Sequence, residues 1–378
     1  MPKWDLEITP EEALEDEAAV LAALDNALAS LDALPQDYER RLAAAKGVYI
    51  GHAKRDGKFK KHFAKRLTAA KAQVGGKTKS AGEYLTVLGS SGSGKTTMTR
   101  RIMEKTGLFD PIELPGRTLR PAIRIQGPRP FTSGQLAISI LRKVKMATDS
   151  KLDPNHTWQI VRNHLPRSRT ALIVIDEAQH ALRHSDPSHS KDVRDAIKIL
   201  AEDDEWPVSF VFVGIPIFER FVVTDNEVKG RNTTFLMPDL KVGNDDPFVE
   251  KLLAEMLTAG ELSIGEMGDH FTHRLIYAGG CQFGRCQKLI RIAIESALIN
   301  RRDTIQVSDF AEALRERTGC DDDHNTFLAP RFELVRHWIS DPELETYVAE
   351  DDILVNDDER GSKARKVAEG DSLKRKRS

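Results

Sequence analysis

"YLTVLGSSGSGKTTMTRRIMEK", residues 84–105, runs from five strand-forming residues through a glycine- and serine-rich turn into a stretch of helical composition. Its centre, Gly89 to Thr96, has the G-x-x-x-x-G-K-T spacing of a P-loop, and it stands between a strand and a helix as that loop requires. The chemistry follows from the residue types. Gly89, Gly92 and Gly94 let the backbone curl, so that the N–H groups of Ser90, Ser91 and Ser93 turn inward around phosphate oxygens. The helix that follows aims its positive N-terminal end at the same anion. Lys95 reaches the β- and γ-phosphates, the Thr96 hydroxyl is a ligand for Mg²⁺, and Thr97 closes the loop. The stretch predicts a site for ATP with Mg²⁺.

A second stretch, "ALIVIDEAQH" at 171–180, completes such a site. Its apolar run reads as a buried strand that delivers two acids where it leaves the core. Asp176 is expected to hold Mg²⁺ through the ion's water shell, and Glu177 to polarise the attacking water. Asp-Glu-Ala followed by a polar residue occurs in helicases and in ATP-driven switches alike, so this pair alone does not separate unwinding from signalling. The next strand, "VSFVFVGIP" (208–216), ends in Gly214-Ile215-Pro216. A polar side chain near the γ-phosphate is expected there and Ile215 is not one, which predicts slow hydrolysis.

Beyond these motifs the pattern alternates. A helix at about 95–106, "AIRIQ" (122–126), a helix near 134–146, the strand at 171–176, a helix near 190–202 and the strand at 208–214 imply a parallel sheet covered on both faces. From about 247 the periodicity is helical only. The expected fold class is α/β: a parallel sheet sandwiched by helices, then a small all-α lid, with a helical N-terminal extension. The expected boundaries are 1–39 for an acidic helical extension, 40–80 for a basic helical segment, 81–246 for the α/β core and 247–318 for the lid. A C-terminal extension at 319–378 has the low apolar content of a disordered tail in its distal part.

The net charge of −2 hides an asymmetry. Residues 1–39 carry eleven acids and one Lys, whereas residues 40–79 carry thirteen Lys or Arg and only Asp56. The acidic helix is either solvated or docks on a partner. The basic block has the composition of a duplex-DNA footprint, densest at Lys54, Arg55, Lys58, Lys60, Lys61, Lys65 and Arg66, although a solvated helix face has the same composition. Only Phe59 and Phe63 interleave with these charges, so single-strand stacking is not indicated. The three cysteines, Cys281, Cys286 and Cys320, form no CxxC pair and read as ordinary thiols rather than a disulfide framework or zinc site. No apolar run reaches the roughly 20 residues of a membrane span and the N-terminus is acidic, which points to the cytoplasm and to no membrane partner.

Two arginines stand where a phosphate could be met. Arg231, in "TDNEVKGRNTTFLMPDL", follows a helix and precedes a return to the core; an arginine there can reach the γ-phosphate of a neighbouring subunit, making the ATP site an interface. Arg285, in "GGCQFGRCQKLI", opens a helix after a glycine-rich turn, where a lid arginine approaches the phosphates of its own chain. A solvated surface arginine is the alternative for each.

The P-loop, "IVIDEAQH", the D-x-x-V-x-x-R run from Asp225 to Arg231 and the turn before Arg285, taken in order, resemble the TniB/TnsC family of AAA+ ATPases. "VYIGHAKRDGKF" also resembles the Tyr-x-x-His segment that this family carries ahead of its P-loop. The resemblance spans about residues 40–315. The sequence departs from the family at Ile215 and in its long acidic extensions. The resemblance implies a regulator of DNA transposition, in the bacterial cytoplasm and nucleoid-associated when DNA-bound. Such proteins assemble with ATP into a ring or helical filament on duplex DNA, receive a target signal from a TniQ-like selector, engage a DDE transposase, and disassemble on hydrolysis. It further implies DNA contacts from the loops after the second strand and before the metal strand, with Arg129, Thr132, Lys143, Lys145 and Lys151 as candidates. Two other readings use the same core. A secretion-associated or signalling ATPase would call for a membrane segment or a receptor-binding module. A helicase or replicative helicase loader would call for strand separation or its support, and no second P-loop is present.

Overall fold

The computed structural model describes residues 10–31, 34, 37–76, 79–146, 153–182 and 187–335. They fall into two compact units, one built from residues up to Ile50 and from Leu240 onward, the other from Gly51–Asp239. In chain order, α1 (Pro10–Leu31) and α2 (Tyr38–Gly47) belong to the first unit. The second unit then runs α3 (Ala53–Gly75), β1 (Tyr84–Leu88), α4 (Lys95–Glu104), a hairpin of β2 (Ile112–Leu114) and β3 (Arg117–Leu119), β4 (Ala122–Gln126), α5 (Ser133–Lys143) and α6 (Pro154–Ser168). It continues through β5 (Leu172–Asp176), α7 (Pro187–Ala201), β6 (Ser209–Gly214), α8 (Glu219–Val223), α9 (Asn226–Arg231) and β7 (Asn232–Leu236). The chain returns to the first unit with α10 (Asp246–Ala259), β8 (Ser263–Ile264), α11 (Phe271–Ala278), α12 (Phe283–Ile299), β9 (Thr304–Ile305) and α13 (Val307–Thr318).

The second unit is a five-stranded parallel sheet in the order β4-β5-β6-β1-β7. Each central strand is buried throughout and mostly apolar because both faces are covered. Successive side chains point to opposite faces, and the two cores sort accordingly. Tyr84, Leu88, Ile173, Ile175, Phe210 and Phe212 pack with Leu136 and Leu141 of α5, Val161 and Leu165 of α6, and Ile197 and Leu200 of α7. Leu85, Val87, Leu172, Val174, Val211 and Val213 pack with Met98 and Ile102 of α4 and with Phe59 and Phe63 of α3. The register aligns Leu88 with Gly214, Asp176 with Val213 and Gln126 with Asp176. The carboxyl ends of four strands therefore meet along one edge, where ligands of open α/β sheets bind.

The first unit has its own core. Leu42 and Ala45 of α2 pack with Leu252 and Met256 of α10, Ile290 and Ala293 of α12, and Phe310 and Leu314 of α13. Tyr38 donates to Glu295 at 2.8 Å, and Arg41 donates to the carbonyls of Gly260 at 2.9 Å and Glu261 at 2.6 Å. These bonds fasten α2 to helices that lie more than two hundred residues later.

Several boundaries therefore differ from those read in the sequence. The segment 40–80 is not one element: α2 belongs with the residues after 240, whereas α3 packs on the sheet. Charge composition did not reveal this division, because burial of α2 and α3 rests on a few apolar positions among many lysines. The β2–β3 hairpin and α6 were also not anticipated, and β8 pairs with β9 in a region of purely helical periodicity. Strands of two or three residues are too short to impose a period. Helix α1 forms as expected, and its Leu14, Val20, Leu21, Leu24 and Leu28 are exposed. The distal tail lies outside the described residues.

Phe59 and Phe63 are core residues, not stacking platforms for bases. Both are buried, their rings are 5.9 Å apart and parallel, and Phe59 meets the edge of Phe235 at 5.7 Å. Replacing Phe59 with Ala is expected to cost about 3–5 kcal/mol, the usual range for a buried Phe→Ala change. Urea denaturation measures this. The milder Phe59→Leu should leave DNA affinity unchanged, and a drop in affinity with this variant would return the ring to the nucleic-acid interface.

Candidate active site

The glycine loop does what its spacing requires. Gly92 and Gly94 have φ of 78° and 87°, left-handed values that a side chain makes costly, and Gly94 is the residue from which α4 starts. Gly89 serves by its size instead: a Cβ there would come within 2.7 Å of both Met237 Cβ and Ser93 Oγ. The loop is tied to the sheet by Gly89 N–H donating to the Gly214 carbonyl at 3.2 Å, and it is closed by Ser93 N–H to Ser90 O at 3.0 Å. Lys95 is buried, with Nζ 3.5 Å from the Ser90 carbonyl. Ser93 Oγ is a buried hydroxyl with no hydrogen-bond partner among the described residues. A buried polar atom left unpaired is costly, and a phosphate oxygen would satisfy this one.

The two candidate metal ligands lie beside the loop. Thr96 Oγ1 donates to Asp176 Oδ1 at 3.1 Å, which joins the first turn of α4 to the end of β5. An oxygen-only pair of one hydroxyl and one carboxylate suits Mg²⁺, which takes few protein ligands and fills its shell with water and substrate phosphate. Among the described residues no group of three or more His, Cys, Asp or Glu side chains could hold a metal. Thr96 and Asp176 thus fit Mg²⁺ in company with a nucleotide.

Two neighbours of these acids were missed in the sequence. Arg124 of β4 forms an ion pair with Asp176 Oδ2, so a fixed positive charge sits against the oxygen that Thr96 does not bond. Its signal was a lone charged residue inside the apolar strand "AIRIQ". Gln179 is buried in the 3-10 turn Ala178–Leu182; its amide donates to the Glu177 carboxylate and accepts from the Ile215 N–H at 3.3 Å. Glu177 itself adopts φ of 54°, a left-handed conformation unusual for a residue with a side chain. The opposing loop leaves room for it through Gly127, where a Cβ would meet the Glu177 carbonyl at 2.8 Å.

Arg231 lies away from this edge, and Arg285 belongs to the other unit. Arg231 ends α9, pairs with Glu202, and lies 5.5 Å over the ring of Tyr84, the first residue of β1. Burial pushes the Tyr84 phenol up to about 12, against the pull of Arg231. Because the P-loop begins at the other end of β1, at roughly 3.3 Å per residue about 13 Å of strand separates Arg231 from its own phosphate site. Its buried Nη1 has no hydrogen-bond partner among the described residues. Arg285 is half-buried in the first turn of α12, in the other unit; a Cβ on Gly280, whose φ is 60°, would fall 3.2 Å from its Nη1.

The basic residues sort by exposure. Lys54, Lys58, Lys60, Lys61 and Lys65 are exposed on α3. Arg55 is not: it is buried with Nε 2.8 Å from Asp56, so the one acid in the block is spent on an internal pair and Arg55 with it. Arg66 is half-buried and paired with Glu83. These two leave the exposed DNA footprint, since a desolvated, paired guanidinium is not on offer to a phosphate. Lys143 and Lys145 are exposed, and Thr132 caps α5 by accepting from Gln135 N–H. Arg129 is exposed but donates from Nε to His180 Nε2 at 2.8 Å, beside Gln179. Lys151 lies outside the described residues.

Residues 78–222 match the family model described as an AAA domain. The chain's fold is similar to that of the ORC1 protein of Aeropyrum pernix in complex with DNA, with 17% identity, 75% of this chain and 70% of that chain covered, and a TM-score of 0.52. The ORC2 protein of the same organism, solved in ADPNP–ADP complexes, is similar at 15% identity, 74% and 72% coverage and a TM-score of 0.50. Cdc6p of Pyrobaculum aerophilum is similar at 16% identity, 72% and 70% coverage and a TM-score of 0.50. No curated protein matches the chain. At these identities the likenesses establish the AAA+ P-loop fold of the sheet and its flanking helices. No helix among the described residues is long and apolar enough to cross a membrane.

The glycine loop can be closed without touching a charge. Gly89→Ala inserts a Cβ into a space bounded by Met237 and Ser93. ATP affinity measured by calorimetry is expected to fall at least about tenfold, roughly 1.4 kcal/mol, while the protein stays folded. Undiminished affinity would mean that the loop does not hold the phosphates in this form.

Proposed function

We propose that this protein is an ATP-dependent, DNA-binding AAA+ regulator of transposition of the TniB/TnsC kind. It binds ATP with Mg²⁺ at the P-loop and assembles on duplex DNA as a ring or helical filament. It links a TniQ-like target selector to a DDE transposase and disassembles as ATP is hydrolysed. The observation that carries the reading is the position of Arg231, at the far end of β1 from its own P-loop. An arginine so placed serves a phosphate on another subunit, and a head-to-tail contact of that kind generates a closed ring or an open helix. In isolation its guanidinium rests on Glu202 and Tyr84, and subunit contact would exchange the Glu202 carboxylate for a γ-phosphate.

Hydrolysis is assigned to Glu177 as the group that polarises water, with Asp176 and Thr96 holding Mg²⁺, which would neutralise charge on the phosphates. Lys95 stabilises the same oxygens, and Arg285 is assigned to the lid's approach to them. For DNA, the exposed lysines of α3 supply a sequence-independent footprint, and Lys143 and Lys145 a second one. The DNA complex of the similar ORC1 protein supports nucleic-acid binding as the use of this fold here. The link to transposition rests on the ordered sequence motifs and the segment before the P-loop.

With a non-hydrolysable ATP analogue and duplex DNA, electron microscopy should reveal rings or filaments; monomers under those conditions would overturn the assembly reading. Arg231→Ala should abolish them while ATP still binds. Glu177→Gln should retain ATP and DNA binding and lose turnover. Flanking genes for a DDE transposase and a TniQ-like protein are expected, and their absence would remove the transposition assignment while leaving the DNA-dependent ATPase. The triple variant K60A/K61A/K65A should reduce the slope of log affinity against log salt by about 0.9 for each phosphate no longer neutralised. Arg55→Ala should leave that slope unchanged and lower stability instead.

A further inference from the structure

The tip of β6 lacks the polar side chain expected at Ile215, yet a polar group is present there. It comes from Gln179. This side chain is buried, with 1% of its surface exposed, and its amide is held at both ends. The Nε2 group donates to the Glu177 carboxylate, and Oε1 accepts from the backbone N–H of Ile215 at 3.3 Å. Gly214 makes the approach possible, since a Cβ there would stand 2.9 Å from Gln179 Oε1. A buried amide with such partners on both sides is fixed in orientation: turning it over would set its donor against the Ile215 N–H and its acceptor against a carboxylate.

We infer that Gln179 is the positioning residue for Glu177 and takes the place of the missing polar group of β6. It fixes the carboxylate against the strand tip whose neighbour, Gly89, begins the phosphate loop. A shift of β6 relative to the loop is thereby transmitted to the group that orients the attacking water. The inference rests on the reading of Glu177 as that group. Its amide bonds run to the Glu177 carboxylate and the Ile215 N–H, so its removal is expected to act on turnover and not on nucleotide binding.

The test is steady-state ATPase kinetics, with ATP affinity measured separately, on the full chain with DNA. Gln179→Leu removes both bonds. The expected result is a fall in kcat of roughly 10–100-fold, the scale of a misplaced catalytic group, with ATP affinity within about twofold of the unaltered protein. Gln179→Glu places a second carboxylate against Glu177. A carboxylate cannot donate to Glu177 as the amide does, so kcat should fall as in Gln179→Leu while ATP affinity is retained. A residue with a merely structural role would not separate kcat from affinity in this way. Gly214→Ala reaches the same contact from the other side: its Cβ displaces the end of a flexible side chain, and kcat should fall as in Gln179→Leu. This variant keeps the test decisive if Gln179→Leu does not fold. Adding Gln179→Leu to Glu177→Gln should cause no further loss, because the two act as one unit.

The outcomes separate the two claims. If Glu177→Gln abolishes turnover while Gln179→Leu, Gln179→Glu and Gly214→Ala keep the unaltered kcat, the role of Gln179 is overturned and the hydrolytic reading stands. If Glu177→Gln turns over ATP normally, the hydrolytic reading falls and the role of Gln179 falls with it.

Discussion

The 3.1 Å hydrogen bond from the Thr96 hydroxyl to the Asp176 carboxylate joins segments eighty residues apart. It forms because β1, β5 and β6 are parallel and in a register that brings Leu88, Asp176 and Gly214 to one edge. Every other part of the site hangs on that register. The glycine loop is anchored by Gly89 to Gly214, and Gln179 reaches across from β5's end to β6's end. A slip of one residue would turn each strand's side chains to the opposite face and place the apolar members of one core in the other. Burial on both faces of the sheet excludes such a slip, so the stability of the cores and the geometry of the site have one cause.

The same covering of the sheet explains why α3 is two-sided. A helix of 23 residues with many lysines remains ordered because Phe59 and Phe63 lie in the sheet core, where each buried aromatic side chain stabilises the fold by a few kcal/mol. Arg55 and Arg66 turn toward acids, and the exposed lysines are left on the outer face. Net charge counts all of these alike, whereas a DNA phosphate meets only the solvent-facing set. The first unit uses its arginines differently again, with Arg41 spent on backbone carbonyls of the turn after α10.

Much of the site was legible because its signals are local. Gly89 to Thr97 lies within a single turn of chain, and Asp176 and Glu177 end one apolar run; spacing and residue type are enough to propose them. The strands at 172–176 and 209–214 were legible for the same reason, since burial on both sides writes itself as a nearly unbroken apolar run. The hairpin at 112–119 and the pairing of β8 with β9 were not, because two or three residues carry no period.

Long-range geometry settled what remained. That Arg124 faces Asp176 depends on the pairing of two strands fifty residues apart, and that Arg55 is internal depends on which side of α3 meets the sheet. The sequence shows Ile215 as a missing polar group, and it shows Gln179 in plain view two residues after Glu177. It cannot show that one stands in for the other, because the bond between them spans two strands and requires the bare backbone of Gly214. Local chemistry is carried by residue type and spacing. The partner of each group is a property of packing, which is where the chain's distant segments first meet.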